Sequence, residues 1–417
     1  MTTPHPLRRR TALGLIALPA ALALPGCGGG TDRRRAQVRL VNASPGYASL
    51  ELRIGDELKQ AAVPYGERAA YVEADPDKPE VTVFATGSPT ALLRFSPALG
   101  NDRWLSVLAY GPAGALRALA LDDNRGEPDA GRAVLRVVNG AFDAGALDVY
   151  LTAESEGLDT AVALQAGAAY GAAGDWQTVA SGTWRLRITA AGSKTDVRLD
   201  VRGIELASRA ITTLVLSSSP GGVLVDALLL AQRGAVVARA NAQARVRVAA
   251  LLTDSAAVSA SVGEYVRVAA GVATPAIRVN GATISAPLLA FEAGRDYTLL
   301  LAGTPAAPRV VRLLDDNALP RDSARARLRL VNALADGATV AALTLDFAPV
   351  GGSVAGDAAS EPATVDATAT GRIAVTAPGA AAPLFVATEQ VLRAGAVHTV
   401  FVAGRSDAAL GILRRDR

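Results

Sequence analysis

Reactive side chains are scarce in this sequence of 417 residues. Cys27 is the only cysteine, and the histidines are His5 and His398. Counting alone excludes disulfide frameworks, zinc clusters of Cys and His, and dithiol redox chemistry. A Ser-His-Asp hydrolase built after residue 27 must use His398. Its setting in GAVHTVFVAG matches Tyr297 in GRDYTLLLAG, so one position accepts either ring, as a strand packing position does. No orienting partner for a general base is recognisable beside it. The acids offer more. Asp122, Asp123 and Asn124 are followed by Glu127 and Asp129, while Asp315, Asp316 and Asn317 are followed by Asp322. Calcium takes about six to eight oxygens, so these clusters are the candidate metal ligands. The same residue types also make turns and accept hydrogen bonds from nearby backbone amides without any metal. Of the three tryptophans, Trp184 alternates with core positions. Trp176, in the loop-like GDWQ, is the candidate ligand contact, a platform on which a sugar can stack. Asn42, Asn139 and Asn332 recur where a strand ends, which points to turn geometry.

Elements at the start of the chain decide where such residues are delivered. Arg8, Arg9 and Arg10 precede the apolar run TALGLIALPAALALPG, which stops at Cys27. A basic start, a short apolar stretch and small residues before a cut site describe an export signal. The run is too short and Pro-interrupted for a spanning helix of about 20 residues. Leu24-Pro25-Gly26-Cys27 resembles a bacterial lipoprotein signal, which implies acyl chains on Cys27 and a membrane partner reached through that lipid. Arg9-Arg10 also has the look of a twin-arginine signal, but with no cofactor implied, ordinary unfolded export is expected. Gly28 to Arg35 (GGGTDRRR) reads as a flexible tether. Removing residues 1–27 takes away three of the 42 Lys and Arg and none of the 39 acids, so the mature chain has no formal net charge. With no basic stripe and no interleaved aromatics, nucleic acid is not an expected partner. The Gly-rich stretch around Cys27 lacks the Lys-Ser/Thr of a phosphate loop.

Internal repeats organise the remainder. Four segments open alike: VRLVNAS from Val38, LRVVNGA from Leu135, VRVAALL from Val246 and LRLVNAL from Leu328. Four later strands also correspond, from Trp104, Thr212, Tyr297 and His398, and LDDN closes two copies, at Leu121 and at Leu314. The openings lie 97, 111 and 82 residues apart, too long for propeller blades of about 40–45 residues. Alternation such as Leu50, Leu52 and Ile54 against Glu51 and Arg53 predicts antiparallel sheets with one wet face. On that pattern Arg185, Arg187, Arg245, Arg247, Arg327 and Arg329 are expected in water. The fold expected is all-β: four tandem immunoglobulin-like antiparallel β-sandwich domains at 36–125, 132–234, 242–318 and 324–417. Polar linkers are expected at Asp122–Ala133, Arg233–Ala244 and Asp316–Ala326, and a long surface loop at Gly351–Gly371.

The opening (V/L)R-x-V-N-A, the strand LDVYL at Leu147–Leu151, the YTLLLAG-type strand and the closing L-D-D together resemble the bacterial family known as domain of unknown function 4397. The likeness runs through nearly all of the mature chain in four unequal copies. The third has Ala249-Ala250 in place of Val-Asn, and the second lacks the closing acids. The resemblance implies an exported, often lipidated chain with tandem domains. It carries over no catalytic residue. The function expected is a non-enzymatic, lipid-anchored cell-envelope protein, at the outer membrane, the periplasmic face or the cell surface. It would display its domains for adhesion, scaffolding or binding of a protein or glycan partner. The alternative is a glycan- or calcium-binding surface module, calcium being the one cofactor considered.

Overall fold

The computed structural model describes residues 35–254, 258–279 and 282–417. The lipidation candidate Cys27 lies outside the described residues, as do the signal and the tether through residue 34. The described regular structure is all strand, and each quarter of the repeat builds a sandwich around its opening strand. In the first, Ala36–Asn42 lies between Val72–Ala74 and Trp104–Tyr110, and the latter pairs with Arg117–Asp122. The facing sheet runs in the order Glu57–Pro64, Ser49–Ile54, Val81–Ala85, Ala91–Phe95. Leu40, Leu50, Leu52, Val83 and Val107 fill the space between the two sheets. The second sandwich repeats the plan around Arg132–Asn139 and the fourth around Arg325–Leu334. The third, around Gln243–Thr253, faces two short ribbons among the described residues, Gly271–Ala273 with Leu289–Phe291 and Ile277–Val279 with Ala282–Ile284.

One pairing departs from a purely antiparallel plan. In every copy the opening strand runs parallel to the late strand, with Val38 beside Leu105, Leu135 beside Thr212, Val246 beside Tyr297 and Leu328 beside His398. Parallel pairs are characteristic of sheets covered on both faces, and these sheets are covered. Alternate residues of the opening strand point to opposite sides. Val38 and Leu40 enter the sandwich core, while Val41 and Ala43 join a second apolar cluster with Leu108, Tyr110 and Val138, Val215, Leu228 and Leu230 of the next sandwich. The third and fourth sandwiches meet in the same way, through Ala249, Leu251 and Leu300 against Val331, Ala333 and Phe401. Residues Arg35–Arg417 accordingly form one compact unit.

The wet face expected for these sheets is therefore a dry seam. Arg39 and Arg329 are 1% exposed and Arg247 is 2% exposed; Arg187, at 4%, is buried as well. Two further expectations are corrected. Val236–Arg239, inside the stretch taken for a linker, pairs with Val225–Ala231 at the sheet edge. The stretch Gly351–Gly371 is not a loop: it carries the short strands Ala358–Ala359 and Ala363–Asp366, both paired with Arg325–Leu334. Low complexity misleads there because small residues are well suited to an edge strand, where the backbone ladder and not side-chain bulk makes the contact.

The recurring asparagines tie each opening strand to its own sandwich. Asn332 is fully buried; its Nδ2 donates to Thr339 O (2.9 Å) and Val354 O (3.0 Å), and its Oδ1 accepts from Leu334 N (3.2 Å). Asn42 and Asn139 make the same three bonds. Truncation strands two carbonyls and one amide out of water. Asn332→Ala is therefore expected to cost roughly 2–4 kcal/mol, read as a lower denaturant midpoint at unchanged slope.

Candidate functional site

Two networks of buried polar groups lie in the seams. Each opening strand places its arginine on the outer face, and each late strand places a hydroxyl beside it. Arg39 Nε donates to Ser106 Oγ (2.7 Å), Arg136 Nε to Thr213 Oγ1 (2.9 Å), Arg247 Nε to Thr298 Oγ1 (2.9 Å) and Arg329 Nε to Thr399 Oγ1 (2.8 Å). The hydroxyl passes the bond on to a carboxylate from the closing strand. Ser106 donates to Asp123 Oδ2 (2.6 Å), Thr298 to Asp315 Oδ2 (2.6 Å) and Thr399 to Asp416 Oδ2. A tyrosine closes two of the chains, Tyr71 on Asp123 and Tyr265 on Asp315, each at 2.6 Å.

In the second pair these chains are exchanged across the seam. Arg329 of the fourth sandwich pairs with Asp315 of the third at 2.7 Å, and Arg247 of the third pairs with Asp416 of the fourth. All four side chains are 0–1% exposed. Burial alone would raise the pKa of Asp315. Arg329 and Arg247 beside it, with hydrogen bonds from Thr298 and Tyr265, outweigh burial and hold it below the ordinary carboxylate value. Burial likewise pulls Arg329 down, but Asp315, Tyr265 and Asp416 more than offset it, so its pKa is raised.

The candidate metal ligands separate into two groups. Asp123 and Asp315 are the buried seam carboxylates just described. Asp122 accepts from Asn124 N (2.9 Å) and faces Arg103, and Asp316 accepts from Ala318 N (3.0 Å) and Arg327 Nη2 (2.6 Å), which is turn chemistry with an arginine added. Asn124 Oδ1 accepts from Arg233, and the buried Asn317 donates to Asp296 (2.7 Å) and Tyr265 (3.0 Å). Among the described residues no group of three or more His, Cys, Asp or Glu is arranged to hold a metal ion. The shared LDDN phrase is also out of step by one residue. The structural equivalents are Asp123, Asp315 and Asp416, not Asp122 and Asp315.

The remaining candidates have their places too. Arg125 and Arg136 both stack on the Trp176 ring, at 5.1 and 4.4 Å from its centroid, so Trp176 stands where Tyr71 and Tyr265 stand in other copies. Trp184 packs half-buried on the second core and donates to Ala180 O. His398 is 2% exposed on the inner side of the fourth sandwich, and burial lowers its pKa. Reading the sequence alone missed Arg39, Arg136, Asp416 and the two tyrosines. Their signal was an arginine at the second place of all four openings, matched by Ser or Thr in every late strand.

A carboxylate depressed in the fold contributes stability that is present above its unfolded pKa, about 3.9, and is lost as pH falls through the lower folded value. Asp315→Asn leaves Arg329 buried without its partner and is expected to cost about 3–5 kcal/mol at neutral pH. Its stability should also fall less steeply than that of the unmodified protein below about pH 4, in denaturant midpoints followed against pH. The four-fold replacement Arg247→Met, Arg329→Met, Asp315→Leu and Asp416→Leu should remove the cost of an unpaired buried charge in the same assay, leaving the cost of the Thr298, Thr399 and Tyr265 hydroxyls that lose their acceptors. Thermal melts in calcium and then in chelator should coincide, since the acids already have cationic or amide partners. A saturable rise at millimolar calcium would mean that they exchange those partners for the ion.

Residues 36–150 match the family described as Domain of unknown function (DUF4397). The match spans the first sandwich and the first two strands of the second. No curated protein matches the chain. Among solved structures, the Bacillus anthracis TIE protein is similar at 10% identity, over 88% of this chain and 68% of that one, with a TM-score of 0.15.

Proposed function

We propose that this chain, whose residues 36–150 match the domain of unknown function 4397 family, is a non-enzymatic, lipid-anchored protein of the cell envelope. On this reading it displays β-sandwiches for adhesion, scaffolding or binding of a partner. The observation that carries the proposal is the use made of the buried polar groups. Arg247, Arg329, Asp315 and Asp416 join one sandwich to the next, which serves a stiff display unit. His398 supports the same view. A general base needs access to the proton it takes, and this imidazole lies inside a sandwich with its Nδ1 unpartnered.

Anchoring follows from Leu24-Pro25-Gly26-Cys27. A diacylglycerol on the sulfur with a further chain on the freed amine supplies the two or more chains that stable attachment requires. Intact-mass analysis of protein extracted from membranes is expected to show the chain beginning at Cys27 with acyl groups attached. Cys27→Ala should shift the protein from the membrane to the soluble fraction. An unacylated mature chain that begins elsewhere would overturn the anchor.

A further inference from the structure

The two seams share one plan but not one charge balance. In the second pair, two buried arginines meet two buried carboxylates. In the first pair, Gln232 stands where Asp416 stands, so Asp123 is the buried carboxylate facing Arg39 and Arg136, with the half-exposed Asp122 acting on Arg136 from further out. Arg39 completes its bonding on carbonyl oxygens, those of Gly234 (2.6 Å) and Ala231 (3.1 Å), and its nearest carboxylate oxygen, on Asp123, is 4.0 Å away. Arg136, 9% exposed, has a buried Nη2 with no acceptor. Burial leaves both guanidinium groups with a lowered pKa, while Arg247 and Arg329 are raised. The first seam thus carries surplus positive charge.

That surplus lies beside an open cleft of about 600 Å³ between the first and second sandwiches, lined among others by Arg125, Glu127, Arg209, Gln232 and Arg233. Three arginines there face one carboxylate. Arg209 and Glu127 are 3.5 Å apart with both side chains more than half exposed, so their pairing is weak. Arg125 stacks on Trp176 and Arg233 on Trp104, at 5.1 and 4.6 Å. Stacking engages the flat face of a guanidinium and leaves the edge N–H groups of Arg125 for a planar or tetrahedral oxyanion. Arg233, by contrast, already donates from Nε to Asp123 O (3.1 Å) and from Nη2 to Asn124 Oδ1 (3.0 Å) and contributes its charge. Among the described residues the Arg125 guanidinium has no carboxylate partner, and Gln232 holds the Arg125 backbone at both its N–H and its C=O. We propose that this cleft binds an oxyanion, the phosphate or carboxylate group of a ligand, through Arg125 and Arg209, with the charge of Arg233 beside them.

The test is calorimetric titration of the purified protein with inorganic phosphate and, separately, with citrate, at constant ionic strength in chloride. Saturable binding at millimolar or lower concentration is expected for at least one of them, and the preferred anion tells a phosphoryl from a carboxylate ligand. Arg125→Ala with Arg209→Ala, both exposed positions, should weaken it by about tenfold or more, whereas Arg267→Ala, outside this cleft, should leave it unchanged. Gln232→Glu, which supplies the missing charge from within, should weaken it in the same direction. No saturable heat with either anion, or equal affinity in the protein and the Arg125/Arg209 variant, would overturn the proposal.

Discussion

An arginine taken out of water between two β-sheets must find acceptors for five N–H donors and a counter-charge within a few ångströms. That requirement explains the arrangement of every seam. The opening strand supplies the guanidinium, and the parallel late strand supplies a hydroxyl at the neighbouring position. In three of the four copies the end of the closing strand brings a carboxylate to the same spot, Gln232 standing there in the second. The parallel pairing of opening and late strands is what sets arginine and hydroxyl side by side, as Arg247 beside Thr298 and Arg329 beside Thr399. The inner cores, by contrast, are apolar and non-directional. Sandwich cores hold each unit together, and the seams decide how the units register.

Whether such buried ions add net stability is a separate matter. Desolvating both partners is expensive, and well-packed apolar residues in their place are often as good. Their gain lies in selectivity: Arg329 is satisfied only when the third and fourth sandwiches meet in the one arrangement that places Asp315 against it. A slipped packing would leave charges bare in an apolar layer. The apolar neighbours in that seam, such as Phe401 and Leu300, have no comparable means of rejecting a wrong partner.

The sandwiches were legible in the sequence and the seams were not. Alternation in SLELRIG, the repeated openings and the turn residues between them specify strands and their grouping into four repeated units. The asparagines were read as structural, and their bonding is structural. The arginines misled because a charged residue alternating with apolar ones is what a solvated sheet face shows. Two features of the sequence argued otherwise. Late strands such as TLLLAG and TVFVAG are apolar without alternation, the mark of burial on both faces, and valine or alanine follows the arginine on its own face in Val41, Val138 and Val331. The closing acids failed differently. LDDN invites alignment letter by letter, but only strand register reveals that Asp123 answers to Asp315. Asp416 lies in RRDR, with no phrase to mark it.

The exchange of carboxylates in the second pair has a consequence for how the chain comes together in time. Arg247 and its partner Asp416 are 169 residues apart, whereas Arg329 and Asp315 are separated by 14. As the polypeptide is made from its N-terminus, the third sandwich can collapse early, with its arginine 4.0 Å from Asp315 of the same sandwich, but the closer pairing with Asp416 waits until the fourth has been synthesised and has docked. Until that moment the outer face of the third sheet is open to water and its charge is hydrated. The segment that carries Asp416 therefore acts as a latch, and closure of the second seam waits for the fourth sandwich to be made.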